Sequence, residues 1–559
     1  MSRSTLRPSA APPPSPRRSP VPKTDSIGRA SAFLASGTIV SRILGFVKLI
    51  VLAGVIGQVG QSTNAFAVAN QLPNTVYVIV AGGVLTAVLV PQIVRASLHA
   101  DGGTAYINKL LTLALAILAA TTIAATALAP MLTVLYGSNM KPESLALATA
   151  FAFWCLPQIF FYGLYTVLGE VLNARKSFGP FTWVPVLNNV VAIAGLLVFS
   201  ALYGADPNGA RLATGFTPAM IAVLAGTATL GVVLQAVVLF YFWHRIGLRF
   251  RPDFRFRGVG LGVAGRMASW TFGMLLLTTL AGIVETRVVT LAGDTDASVA
   301  ALNTAWLIFM LPHSVITVSV ATAYFTRMSE HASVGKLALV RTDASSAIRG
   351  TTLIIMLASA VIAVCAYPFA RVFVAPYGQV LSIGNVIIAY VLGLVAFCVL
   401  FVIQRTFYAL GDTRTPFFFT LFQVTLVIIG VLACALLPSA WIAAGVALTV
   451  TVSGIAQAGL AAWLLRGRLG GIDGRRILRS LATYSVATVP AILAGVALLQ
   501  VLGGTREAGF ALSGKIQAVL AMGVIGLGMS AVYFGLLLLM RSSELRGFLD
   551  PVLDRIRRR

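Results

Sequence analysis

From Ala35 onward the chain is a succession of apolar runs, each about as long as a hydrocarbon core is thick, separated by short polar stretches. A helix rises 1.5 Å per residue, so about 20 apolar residues cross a bilayer. That template fits fourteen times. The predicted spans lie near 31–57, 63–97, 105–128, 144–172, 178–203 and 216–243 in the first half of the chain. In the second half they lie near 266–293, 297–327, 347–373, 379–409, 414–437, 440–465, 478–503 and 514–540. The few polar residues inside these runs carry the information. Arg42 and Lys48 sit in span 1, Pro73 stands between Leu72 and Asn74 in span 2, and Glu285 and Arg287 lie in span 7.

The pattern also repeats. Asn64 to Val76 reads NAFAVANQLPNTV and Asn303 to Val315 reads NTAWLIFMLPHSV, so Asn64 meets Asn303, Pro73 meets Pro312 and Asn74 meets His313 at an offset of 239 residues. Val171 to Pro180 pairs with Phe407 to Pro416 at an offset of 236. Two near-equal offsets in the same order predict duplicated lobes of six spans each. Six is even, so the lobes share one orientation and are related by a pseudo-two-fold axis along the membrane normal. The expected fold is all-α and polytopic, with two six-helix lobes followed by two C-terminal helices. The expected division is a basic disordered cytoplasmic tail (1–28), a first lobe (29–244), a basic cytoplasmic segment between lobes (245–265), a second lobe (266–470), spans 13 and 14 (471–541) and a basic cytoplasmic tail (542–559).

Composition agrees with a membrane protein: 58% of residues are hydrophobic and 10% charged, and the mean hydropathy is +0.90. The formal charge of +24 does not call for nucleic acid, because of 41 Lys and Arg residues 33 fall in segments that are cytoplasmic if both termini are inside. Five fall in the outer loops and three within spans. Such a bias predicts an even number of spans with both ends in the cytoplasm. In the segment between lobes Arg249, Arg251, Arg255 and Arg257 alternate with apolar residues, as expected for contact with anionic membrane lipids.

No catalytic constellation is present in the sequence. The four cysteines lie in apolar runs without CxxC spacing, and the four histidines lack metal-ligand spacing, so neither an enzyme nor a metal site is expected. The buried charges say more. Arg42 and Lys48 are six residues apart, hence about 120° apart around the helix, able to line one broad cavity wall but no narrow seam. Snorkelling or internal ion pairing is the competing role. Pro73 and Pro312 are hinge candidates, because an interior proline frees backbone groups that only a protein-lined cavity satisfies. Glu285 is a candidate site for a coupling ion, Na⁺ or H⁺, against a structural ion pair.

Several segments, SRILGF (Ser41 to Phe46), NAFAVANQLPN (Asn64 to Asn74), YGLYTVLGEVLNARKSFGP (Tyr162 to Pro180), PVLNNVV (Pro185 to Val191) and RTFYALGDTRTP (Arg405 to Pro416), resemble the MurJ/MviN family of peptidoglycan lipid II flippases. That family belongs to the multidrug/oligosaccharidyl-lipid/polysaccharide exporter superfamily. The resemblance implies an alternating-access flippase for lipid II, an undecaprenyl-pyrophosphate-linked muropeptide, in cell wall biogenesis. It implies a substrate site at Arg42, Lys48, Asn64, Asn70 and Asn74, coupling to Na⁺, H⁺ or the membrane potential, and partners among wall-synthesis proteins. It points to the high-GC Gram-positive branch. Family members commonly have Asp at the place of Asn64 and Arg at the place of Lys48, so this chain departs from the pattern there. Exporters of other polyprenyl-linked glycans, drug or cation antiporters, and a non-transporting scaffold for wall synthesis are the alternative readings.

Overall fold

The computed structural model describes residues 24–80, 104–174, 178–245, 250–254, 261–294, 296–542 and 544–546. Most of both expected tails, the end of span 2, Arg175, Lys176 and much of the segment between lobes lie outside these residues.

The first lobe comprises α1 (Thr24–Ile56), α2 (Gln61–Val80), α3 (Thr104–Ala127), α4 (Ala129–Gly137), α5 (Pro142–Cys155), α6 (Gln158–Ala174), α7 (Phe178–Tyr203) and α8 (Pro218–Arg245). The second comprises α9 (Leu261–Val289), α10 (Val299–Pro312), α11 (Val318–Ser333), α12 (Leu337–Val364), α13 (Ala366–Phe373), α14 (Tyr377–Val391), α15 (Leu394–Ala409), α16 (Arg414–Cys434) and α17 (Ser439–Leu469). Two further helices, α18 (Gly474–Val501) and α19 (Lys515–Leu539), pack on each other and against α12. Among the described residues thirteen segments are long and apolar enough to cross a membrane. The fourteenth predicted span is the one that begins in α2 and continues beyond the described residues.

Four predicted spans are interrupted, each for a local reason. Pro157 lacks the N–H that would continue α5, so span 4 breaks into α5 and α6. Span 9 runs from Leu337 to Val364 rather than 347–373, and Pro368 falls in the separate short helix α13. Its polar first turns are held by Asp343, whose buried carboxylate lies 2.8 Å from Arg327 and 3.0 Å from His331. Span 10 breaks at Gly393, where Thr451 Oγ1 of α17 donates to the freed carbonyl of Ala389 at 2.7 Å. Span 8 passes after Pro312 through a five-residue π-helical segment, His313–Thr317, before α11.

Glycine sets the closest approaches. At Gly195 an added Cβ would meet Thr227 Oγ1 at 2.2 Å, so α7 and α8 pack through a missing side chain, as membrane helices commonly do. At the α1–α2 turn an added Cβ on Gly209 (φ +66) would lie 1.9 Å from the Val59 carbonyl. The loop before α8 therefore lies backbone against backbone on that turn, with Asp206 N–H donating to the Val55 carbonyl. The four cysteines are buried and unpaired.

How the cores divide is what shapes the site. At the end of the bundle where α1 ends and α2 begins, one core draws on both lobes, with Phe66, Phe151 and Phe199 packed in the same cluster as Val289, Val427 and Val446. A second cluster places Ala53 of α1 against Ile308, Phe373 and Ile387. At the opposite end the lobes keep separate cores. One holds Leu111, Leu168 and Trp243 of the first lobe, and the other Met328, Phe407 and Leu465 of the second.

Candidate functional site

At the end with the shared core, a row of polar contacts closes the boundary between lobes. Thr304 Oγ1 donates to Gln58 Oε1 at 3.0 Å, with both residues buried. Gln61 Nε2 donates to Asp294 Oδ2 at 3.2 Å, Asn64 Nδ2 to the Gly293 carbonyl at 3.4 Å, and Gln71 Nε2 to Thr286 Oγ1 at 3.4 Å. Lys141 pairs with Asp294 at 2.8 Å. Arg287 Nε donates to Ser138 Oγ at 3.0 Å, while its own carbonyl accepts from Asn139 Nδ2 at 2.7 Å. All of these bonds between the lobes belong to this sealed end. The lobes therefore enclose a cleft shut at one end and parting toward the other.

Gln61, Asn64 and Gln71 share an arc of about 80° on α2. That periodicity was available in the sequence, where it stayed hidden beneath the interest in Asn70, Asn74 and Pro73. Lys141 is exposed, and its hydrogen bond and charge attraction to Asp294 raise its pKa above the ordinary lysine value.

The two cations of α1 part company, as their angular separation requires. Arg42, half-buried, lies within electrostatic reach of His313 in the second lobe. His313 opens the π segment and is buried, its Nδ1 3.5 Å from Cys398 Sγ and its ring between Phe397 (4.8 Å) and Phe401 (4.9 Å). Lys48 points instead into the first lobe, lining a cavity of about 110 Å³ with Asn70, Gln158, Tyr162 and Asn188. No ion pair involves either cation among the described residues. Asn74 is exposed on α2, one turn from Asn70, whereas Asn64 is buried in the seal with its Oδ1 unpartnered. Pro73 is buried within a continuous α2, and Pro312 immediately precedes the π segment, so the two repeated prolines sit in unlike local structure. The partner role of His313 was not legible from sequence, where it showed only as the counterpart of Asn74.

Glu285 lines a third space. A cavity of about 460 Å³ inside the second lobe is walled by α9, α10, α14 to α17 and Gln71 of α2. Around Glu285 it presents Asn303, Gln423, Thr451 and Gln457, so one carboxylate faces neutral oxygens from three other helices. Arg287, turned to Ser138, leaves Glu285 without an ion-pair partner among the described residues. Glu170 is half-buried in α6.

The family model described as "Lipid II flippase MurJ" matches residues 52–520. The probable lipid II flippase MurJ of Rickettsia prowazekii (strain Madrid E) is 25% identical over 417 residues, covering 71% of this chain and 76% of that protein. That of Rhizobium meliloti (strain 1021) is 26% identical over 439 residues, covering 77% and 78%. Among solved structures, a lipid II flippase MurJ in an inward closed conformation superposes with a TM-score of 0.69 at 18% identity, over 90% of this chain and 99% of that one. An inward-facing multidrug resistance transporter of the MATE family gives a TM-score of 0.61 at 17% identity, over 78% and 96%.

Proposed function

The chain belongs to the lipid II flippase MurJ family, and from that premise we propose how it moves its substrate. It is a multi-pass membrane protein, and the sealed end of the cleft faces outward, with both termini in the cytoplasm, as the bias of Lys and Arg supports. The cleft between the lobes receives the headgroup of an undecaprenyl-pyrophosphate-linked muropeptide from the inner leaflet while its tail stays in lipid. Reversal of the seal then releases it to the outer leaflet. The observation that carries this reading is the division of the cores: shared and cross-bonded at one end, separate at the other.

A pyrophosphate crossing a low-dielectric layer needs a cation with several donors, and a guanidinium supplies both charge and a fork of N–H groups. Arg42, within electrostatic reach of His313 in the second lobe, is the pyrophosphate ligand in this reading. Lys48 stands about 9 Å further along α1. Its cavity of about 110 Å³ is too small for a disaccharide-peptide headgroup. It therefore acts by its field, drawing the diphosphate toward that wall, with Asn70 and Asn74 presenting amide groups to the sugars. The Glu285 cavity is the coupling site: a single carboxylate among amide and hydroxyl oxygens suits a small hard cation or a proton.

Replacement of Arg42 tests the assignment. R42A is expected to leave lipid II on the inner leaflet in depleted cells at normal protein level, and R42K to restore transport only in part. Full transport by R42A would remove Arg42 from the site. A normal leaflet distribution of lipid II after depletion, with displaced synthases, would favour a scaffold over a flippase.

A further inference from the structure

Where α17 ends and α18 begins, a groove of about 1440 Å³ runs between α12, α15, α17 and α18. Ile348, Ile403, Leu465 and Ile477 give it an apolar floor, and its rim carries Arg341, Arg466, Arg475, Arg476 and Arg479 against one carboxylate, Asp473. That carboxylate is already engaged, 2.9 Å from Arg341 Nε. The other four arginines are exposed and make no ion pair among the described residues.

Two further observations say what such a groove takes. Arg475, Arg476 and Arg479 occupy the first two turns of α18, where the helix dipole already presents its positive end and cations are disfavoured. A bound anion removes that conflict. Beside them Leu478 is 67% exposed, and Trp463, one turn before Arg466, is also 67% exposed, which sets this level of α17 at the boundary between headgroups and hydrocarbon. Arginines above, an apolar floor below and an interfacial tryptophan alongside describe an amphiphile rather than a soluble anion.

We propose that this groove binds an anionic phospholipid of the surrounding leaflet. Its phosphate lies among Arg466, Arg475, Arg476 and Arg479, and its glycerol and proximal acyl chain lie along the floor. One wall of the groove is α18 and the others are α12, α15 and α17, so the bound lipid ties the last two helices to the second lobe.

The test uses the full-length chain in detergent, with lipid retention measured by native mass spectrometry. Phosphatidylglycerol is expected to be retained, phosphatidylcholine lost, and inorganic phosphate unable to displace the bound lipid. R475Q/R476Q/R479Q is expected to weaken retention on the order of a hundredfold, given about a fivefold effect for each cation near an anionic headgroup. R506Q/K515Q, which removes two exposed cations beyond the far end of α18, is expected to change little. A462W keeps every arginine and fills the floor, and is expected to release the lipid as well. Wild-type retention by either groove variant, equal loss in the R506Q/K515Q control, or full displacement by inorganic phosphate would each overturn the proposal. Cross-linking of a photoreactive phosphatidylglycerol to the unmodified chain, expected within residues 462–481, depends on no variant, and labelling confined to other segments overturns it too.

Discussion

The bond from Thr304 to Gln58 offers the sharpest handle on the seal. Both side chains are 2% exposed, they belong to different lobes, and neither shape needs to change for the bond to be removed. Thr304→Val keeps the volume of the side chain and deletes the hydroxyl, leaving Gln58 Oε1 without its donor. A buried acceptor left unpaired costs about 1–3 kcal/mol. That cost exists only while the end is sealed, since water reaches Gln58 once the lobes separate there, so it acts as a difference between two states. At tenfold per 1.4 kcal/mol, the ratio of sealed to opened forms falls about 5- to 150-fold. Spin labels at Leu212→Cys and Leu436→Cys report it, because both positions are exposed at this end, one in each lobe, and the four native cysteines are buried. Pulsed-dipolar distance distributions should show a longer component gaining weight in T304V. The double variant Q58L/T304V removes both polar groups and should restore most of the short component. An unchanged distribution in T304V, or a double variant as open as the single one, would refute the reasoning.

Glu285→Gln keeps the shape of the second-lobe cavity and removes its carboxylate, so cation-dependent stabilisation of the purified protein, measured as a shift in Tm on adding Na⁺ or lowering pH, should disappear. If transport survives in that variant but fails when the membrane potential is dissipated, the field acting on the cationic cleft, about 2.3 kcal/mol per charge per 100 mV, is the driving force. Pro73→Ala should alter labelling of a cysteine placed at Asn70 from either side of the membrane, while unchanged labelling would leave Pro73 shaping the cleft without bending it. Lys141 has a raised pKa in the folded chain, so its contribution to the seal is fully present below the ordinary lysine value of 10.5 and is lost only as pH rises through the higher folded value. The distance between Leu212→Cys and Leu436→Cys should therefore hold steady from about pH 6 to about pH 9. Raising salt to about 1 M, where the Debye length shrinks to about 3 Å, should lengthen it.

Much of this architecture was readable because membrane helices must satisfy their backbone internally and must be long, which makes hydropathy a direct ruler. The duplicated Leu-Pro motifs added a lobe arrangement to the count of spans. What the ruler missed were breaks inside spans: Pro157, Gly393 and the π segment after Pro312 leave the apolar run intact while redirecting the chain. The candidate site was legible in part. The spacing of Arg42 and Lys48 required that they diverge, yet nothing in the sequence said that Lys48 would turn into its own lobe or that Arg42 would lie within electrostatic reach of His313. Glu285 stood out as an intramembrane acid, but its neighbours Asn303, Gln423, Thr451 and Gln457 come from three other helices that only tertiary packing brings together. The seal was the least visible feature. Its bonds are between ordinary glutamines, threonines and backbone carbonyls, residue types that mean nothing until their partners in the other lobe are known.

The shared core and its cross-lobe bonds also set an order of assembly. The core of the first lobe that contains Leu111, Leu168 and Trp243 is complete once residue 243 has been inserted. Gln58, by contrast, waits for Thr304, a residue 246 positions later in the chain. At translation rates of about 5–20 residues per second, that delay is on the order of 10–50 s. The newly made first lobe therefore stands in the bilayer with Gln58, Gln61, Asn64 and Gln71 still lacking their second-lobe partners. The protein is born open at the very end it will later hold closed, so closure belongs to its biogenesis as well as to the transport cycle proposed above.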